Sequence, residues 1–222
     1  MSAVRVILMK DLRIELRTLQ SLPAMALFAV TTFVIFRFGL DRTSLEGSLA
    51  AGVLLVTVLF AALLAINRLF VAERDEGGFD AIRLAPVEAT SLFLAKVLAL
   101  LVYLTVLELI ALPVFAAFFL DDAAGLLPVA GILLLLNLGF AATGAVVSTM
   151  GANSRARDLL TPLVLLPLLI PLMIAAAGAC ELLLAAGGPE YDGVPKWALT
   201  LGLYDAVFLL VGYAVYDFLI ED

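Results

Sequence analysis

Three carboxylates stand inside long apolar runs: Glu108, Glu181 and Asp205. An acidic side chain at mid-membrane costs roughly 2.5 to 3.5 kcal/mol on insertion scales, so each is expected to face protein or a wet cavity. Glu108 is twelve residues from both Lys96 and Leu120, about 18 Å from each along a helix. Asp205 is eight residues in from Trp197, a depth of about 12 Å. Asn137 and Tyr204 offer an amide and a hydroxyl as partners, which would make the two acids packing groups. A gated path in which they titrate is the alternative.

The second concentration of reactive residue types is AERDEGGFDAIRLAPVEATS, from Ala72 to Ser91. It gathers Glu73, Arg74, Asp75, Glu76, Asp80, Arg83 and Glu88 around Gly77 and Gly78, with Phe79, Ile82 and Leu84 as the bulky apolar residues before Pro86. Charge with an apolar ridge suits a short helix docked on a soluble partner; a solvated hairpin between two spans is the alternative. Other chemistry is excluded by residue type. The chain has no histidine and one cysteine, Cys180, which removes zinc sites, imidazole-ligated heme and Ser-His or Cys-His catalysis within it. A Walker A motif needs Gly-Lys so that backbone amides and an ammonium meet the phosphates. Lys10, Lys96 and Lys196 follow Met9, Ala95 and Pro195, so this chain cannot be a P-loop ATPase. A net charge of -7 argues against a nucleic-acid-binding face.

The elements that must carry these residues follow from composition. The 222 residues are 64% hydrophobic and 15% charged, more apolar surface than one soluble core can bury. Six stretches are long enough to span a bilayer: 22–40, 47–70, 91–120, 126–150, 159–177 and 197–220. Basic residues orient them. With the N-terminus inside, Arg5, Lys10, Arg13, Arg17, Arg68, Arg74, Arg83, Lys96, Arg155 and Arg157 fall on the cytoplasmic side, and Arg37, Arg42 and Lys196 outside. Both termini are then cytoplasmic, and residues 72–90 form a cytoplasmic loop.

Val4, Leu8, Leu12, Leu16 and Leu19 recur at spacings of four and three, with Lys10, Arg13 and Arg17 on another face. The pattern suits a helix lying in the inner interface, either as an anchor or in contact with a partner. The charged N-terminus lacks the apolar core of a signal peptide, so Met1 is expected to start the mature protein. Pro113, Pro162, Pro167 and Pro171 lie within spans and predict kinks. Gly178 to Gly188 reads as a short outer helix or re-entrant turn. Small residues of the fourth span, among them Gly139, Thr143, Gly144 and Ser148, predict close helix approach.

FAALLAINRLFVAERDEGGFDAIRLAPVEATSLFLAKVL (Phe60 to Leu98), followed by VYLTVLELIALPVF (Val102 to Phe115), resembles the heme exporter protein B (CcmB) family. KDLRIELRT (Lys10 to Thr18) and LYDAVFLLVGYAVYDFLIED (Leu203 to Asp222) are similar to that family's two ends. Asn67-Arg68, Glu73-Arg74 and Leu84-Ala85-Pro86, in this order, carry the likeness.

The resemblance implies a non-catalytic permease subunit of an ATP-binding-cassette complex serving cytochrome c maturation in the bacterial inner membrane. It implies a separate ATPase (CcmA) that binds ATP and Mg, a heme-handling membrane protein (CcmC), a small membrane protein (CcmD) and a heme chaperone (CcmE) whose loaded form is released on ATP hydrolysis. The expected architecture is all-α, with six transmembrane helices behind an interfacial N-terminal helix in a single 1–222 domain. The segment from Glu73 through Arg74, Asp75, Glu76, Gly77, Gly78 and Phe79 to Asp80 is expected to couple to the ATPase, with Glu108, Asn137 and Asp205 as intramembrane polar residues. Heme is expected on partner subunits, no cofactor or metal on this chain. Two ATP sites per complex suggest a homodimer, with CcmC as the other candidate for the second position. The rival function is a proton-coupled secondary transporter using Glu108 and Asp205. An intramembrane hydrolase would need a paired-aspartate or Gly-x-Ser-x-Gly arrangement, and no span carries one.

Overall fold

The computed structural model describes residues 3–42, 44–69, 88–151 and 157–221. All regular structure among the described residues is helical: α1 (Ala3–Thr18), α2 (Ser21–Gly39), α3 (Gly47–Arg68), α4 (Ala89–Phe119), α5 (Leu126–Gly151), α6 (Arg157–Leu183) and α7 (Val194–Glu221). Six of these, α2 to α7, are long and apolar enough to cross a membrane. In hydrocarbon the backbone must satisfy its own amides and carbonyls, which leaves a helix as the conformation open to such runs. The chain is a multi-pass membrane protein, and α2 to α7 run alternately between the end that carries α1 and the far end.

The centre of the bundle is α5, which packs against α3, α4, α6 and α7. Its small residues allow this. Ala141, Ala142, Ala145 and Ser148 are buried, and a Cβ at Gly144 would stand 2.8 Å from the Ile66 side chain of α3. In contrast, α2 and α7 lie at the periphery, where Leu27, Phe38, Leu203 and Phe218 are exposed as lipid-facing residues. Rings of Phe33 on α2 and of Phe115 and Phe119 on α4 meet with centroids 5.4 to 6.0 Å apart. They lock α2 onto α4 near the far end.

The helix bounds shift several of the expected spans, α3 ending at Arg68 and α4 beginning at Ala89 within the expected 72–90 loop, and two of the shifts bear on the site. The fifth span does not stop at residue 177, because α6 continues unbroken to Leu183. Gly178 is a packing residue there: a Cβ on it would lie 2.4 Å from the Trp197 ring of α7. The break comes later, at Gly187 and Gly188, with φ of 87° and 120°, values open to glycine and strained for other residues. The last span likewise begins at Val194 rather than 197. Pro195 fits the first turn, where a missing N–H leaves no bond unmade. Pro113, Pro162, Pro167 and Pro171 do lie inside helices, one in α4 and three in α6.

Candidate functional site

The corrected start of α7 changes the depth of its carboxylate. Glu108 is eleven residues before the far-end terminus of α4, Asn137 eleven after that of α5, and Asp205 eleven after that of α7. All three are therefore about 16 Å from the far ends of their helices. Those ends are tied together. The Leu45 amide donates to the Phe119 carbonyl and the Gly47 amide to that of Leu184, while a Cβ on Gly125 would meet the Leu183 carbonyl oxygen at 2.1 Å. The three side chains thus form one polar layer deep in the bundle, each at most 4% exposed.

Within the layer the two acids are treated differently. The Asn137 Nδ2 donates to Glu108 Oε1 at 2.6 Å, joining α5 to α4. Asp205 lies beside Gly139 of α5, where a Cβ would be 2.6 Å from its Oδ1. Neither Asp205 oxygen has a hydrogen-bond partner among the described residues. Tyr204, expected as a partner for the acid, instead donates its hydroxyl to the Leu168 carbonyl of α6. A buried carboxyl with open lone pairs is an acceptor for water, for a proton or for a polar group on a moving helix. The third acid, Glu181, differs from both: it is exposed in the last turn of α6.

A second polar cluster, not anticipated from the sequence, joins α1 to the bundle. Lys96 on α4 is 1% exposed, and its ammonium contacts Asp11 Oδ2 at 2.9 Å and the Leu69 carbonyl at 3.4 Å. The Tyr103 hydroxyl donates to the Asp11 carbonyl. One turn on, Glu15 Oε1 accepts the Ser21 and Leu22 amides, both at 2.8 Å. A carboxylate there satisfies two orphan donors and meets the positive end of the α2 dipole. The corner is completed by Leu19, whose φ of 48° turns the chain into α2. The one sign of this cluster in the sequence is the spacing of Asp11 and Glu15, four apart and hence on one stripe of α1.

Leu69 is the last described residue before the expected coupling segment, and Glu88 the first after it. Glu73, Arg74, Asp75, Glu76, Gly77, Gly78, Phe79 and Asp80 lie outside the described residues. What is described is their footing: the Lys96 ammonium on the Leu69 carbonyl, and the Ser91 and Leu92 amides on the Glu88 carbonyl. At the far end a cavity of about 310 Å³ opens between the connections, with Glu46, Asp121 and Asp122 on its wall.

A family model described as CcmB protein matches residues 2–219. The chain belongs to the CcmB family. Among curated proteins, the heme exporter protein B of Bradyrhizobium diazoefficiens is 28% identical over 213 residues, covering 88% of this chain and 87% of its own. That of Rhodobacter capsulatus is 26% identical over 78% of this chain and 80% of its own. That of Pseudomonas aeruginosa is 30% identical over 79% of both. The CcmB match takes in α1 as well as the six spans, so the Asp11–Lys96 junction and the buried polar layer both fall within the family's shared length.

Proposed function

We propose that this CcmB chain is the membrane permease subunit of an ATP-binding-cassette complex for cytochrome c biogenesis in the bacterial inner membrane. In this account a separate ATPase, CcmA, hydrolyses ATP with Mg and engages the segment 72–90. Its conformational change passes through the helices to heme delivery or to release of the heme-loaded chaperone CcmE. Heme is handled by the partner subunits CcmC and CcmE, with CcmD accompanying them. The observation that carries this is the family match over nearly the whole chain. It is supported by the lack of any Gly-Lys pair for phosphate binding and by the footing of the segment. Lys96 bridges the end of α3 to α1, so displacement at Leu69 is passed to α1 and α4 together.

The test is purification of the tagged chain in mild detergent from cells that express the neighbouring subunits. An ATPase chain is expected to accompany it in fixed stoichiometry; its absence would remove the coupling model. A proton-coupled transporter is the second reading, favoured by Asp205 being buried without a hydrogen-bond partner among the described residues. The two differ in what they need. Under the permease model, Glu108→Gln and Asp205→Asn keep most cytochrome c maturation, whereas a proton path loses it in either variant and is abolished by an uncoupler at constant ATP.

A further inference from the structure

The helix α1 sorts its charges by face. Both its acids point into the bundle, Asp11 to Lys96 and Glu15 to the first amides of α2. Its arginines point away: Arg5, Arg13 and Arg17 are exposed and form no ion pair among the described residues. Asp11 also pairs with Lys10 of the same helix at 3.2 Å, so the cations left on the outward surface are the three arginines. Apolar side chains share that surface, with Val6 52%, Met9 45% and Leu16 69% exposed. In a chain already shown to be multi-pass, leucine beside arginine on an outward helix face is what the boundary between acyl chains and headgroups accommodates.

We propose that α1 is a binding surface for anionic phospholipid headgroups, with Arg13 and Arg17 holding the phosphates and Leu16 seated in the acyl boundary. Arg13 and Arg17 are four apart and so lie one turn from each other on the same stripe. The guanidinium fork matches phosphate oxygens two at a time. An acidic protein surface would satisfy the same cations but leave Leu16 and Val6 uncovered, so the lipid surface is the occupant that accounts for both residue types. This rests on the membrane architecture and is independent of the ATPase coupling above.

The test uses the full chain reconstituted into phosphatidylcholine vesicles carrying a trace of spin-labelled phosphatidylglycerol or, separately, spin-labelled phosphatidylcholine. The readout is the motionally restricted lipid fraction in the electron paramagnetic resonance spectrum. The anionic probe is expected to be favoured by about threefold at low salt, falling toward parity as salt is raised. Arg13→Gln with Arg17→Gln should remove at least half of that preference, on the order of the share two cations contribute, and Arg13→Lys with Arg17→Lys should retain most of it. An unchanged size-exclusion profile shows that the variants are folded. Equal restriction of the two probes by the native chain, or full preference in the glutamine variant, overturns the assignment. So does a glutamine variant that keeps its lipid preference but loses a copurifying protein, which would hand the cations to a protein partner.

Discussion

Lys96 is a buried cation in the apolar part of α4 whose ammonium meets the Asp11 carboxylate and the Leu69 carbonyl. A buried ion pair adds little over a well-packed apolar pair, but removing one member strands the other and costs about 3–5 kcal/mol. Lys96→Met alone should therefore lower the melting temperature in detergent more than Lys96→Met combined with Asp11→Asn. Thermal unfolding of the two single variants and the double variant forms a cycle, and strictly additive losses would show that the pair is not coupled. The Glu108–Asn137 pair follows the same physics with a neutral donor. A polar residue inside an apolar run announces itself in the sequence, so Asn137 and Tyr204 could be named as candidate partners for the two acids, while packing decides that Asn137 meets Glu108 and Tyr204 meets neither. Asp11 could not. In α1 it stands among other charges, and its partner is set by how helices fold back on one another.

At the scale of elements, the six spans were legible because lipid imposes a length and a composition that leave few alternatives. Their ends were less so. The span was expected to end before Gly178, yet Gly178 serves as the flat contact for Trp197 inside a continuous helix, while the Gly187–Gly188 pair is the stop; a glycine's two uses are told apart by what lies across from it in space. The same holds for α1: spacing puts its leucines and arginines on different faces, whereas Leu16 is exposed beside Arg13 and Arg17 and the inward stripe carries Asp11 and Glu15 along with Ile7. The coupling segment rests on residue types and family likeness. Replacing Glu73 and Arg74 by alanine should leave the chain inserted but weaken ATPase recovery and cytochrome c maturation. Exposed ion pairs alone contribute little, so Phe79→Ala, which removes an apolar anchor, is expected to do more damage. Full maturation in both variants would take the segment out of the mechanism.

For the whole molecule, the distribution of basic residues predicts a direction across the membrane that helix packing alone does not give. Cysteines placed at Ser2 and Asp222 should resist a membrane-impermeant thiol reagent added from the periplasm, whereas one at Asp192 should react; labelling at Ser2 would invert the orientation. The native Cys180 is buried, so it adds little background. The junction between α1 and α4 also sets an order of assembly. Asp11 is separated from Lys96 by 85 positions, and during synthesis it emerges with three membrane helices still to be made before the one it docks on is complete. Until α4 has inserted, Asp11 has its neighbour Lys10 but not Lys96, and the junction that ties α1 to the Leu69 carbonyl at the end of α3 is unformed. The first helix to leave the ribosome is thus secured to the bundle only when α4 has been made, ahead of α5, α6 and α7, and its docking reports that α4 has arrived.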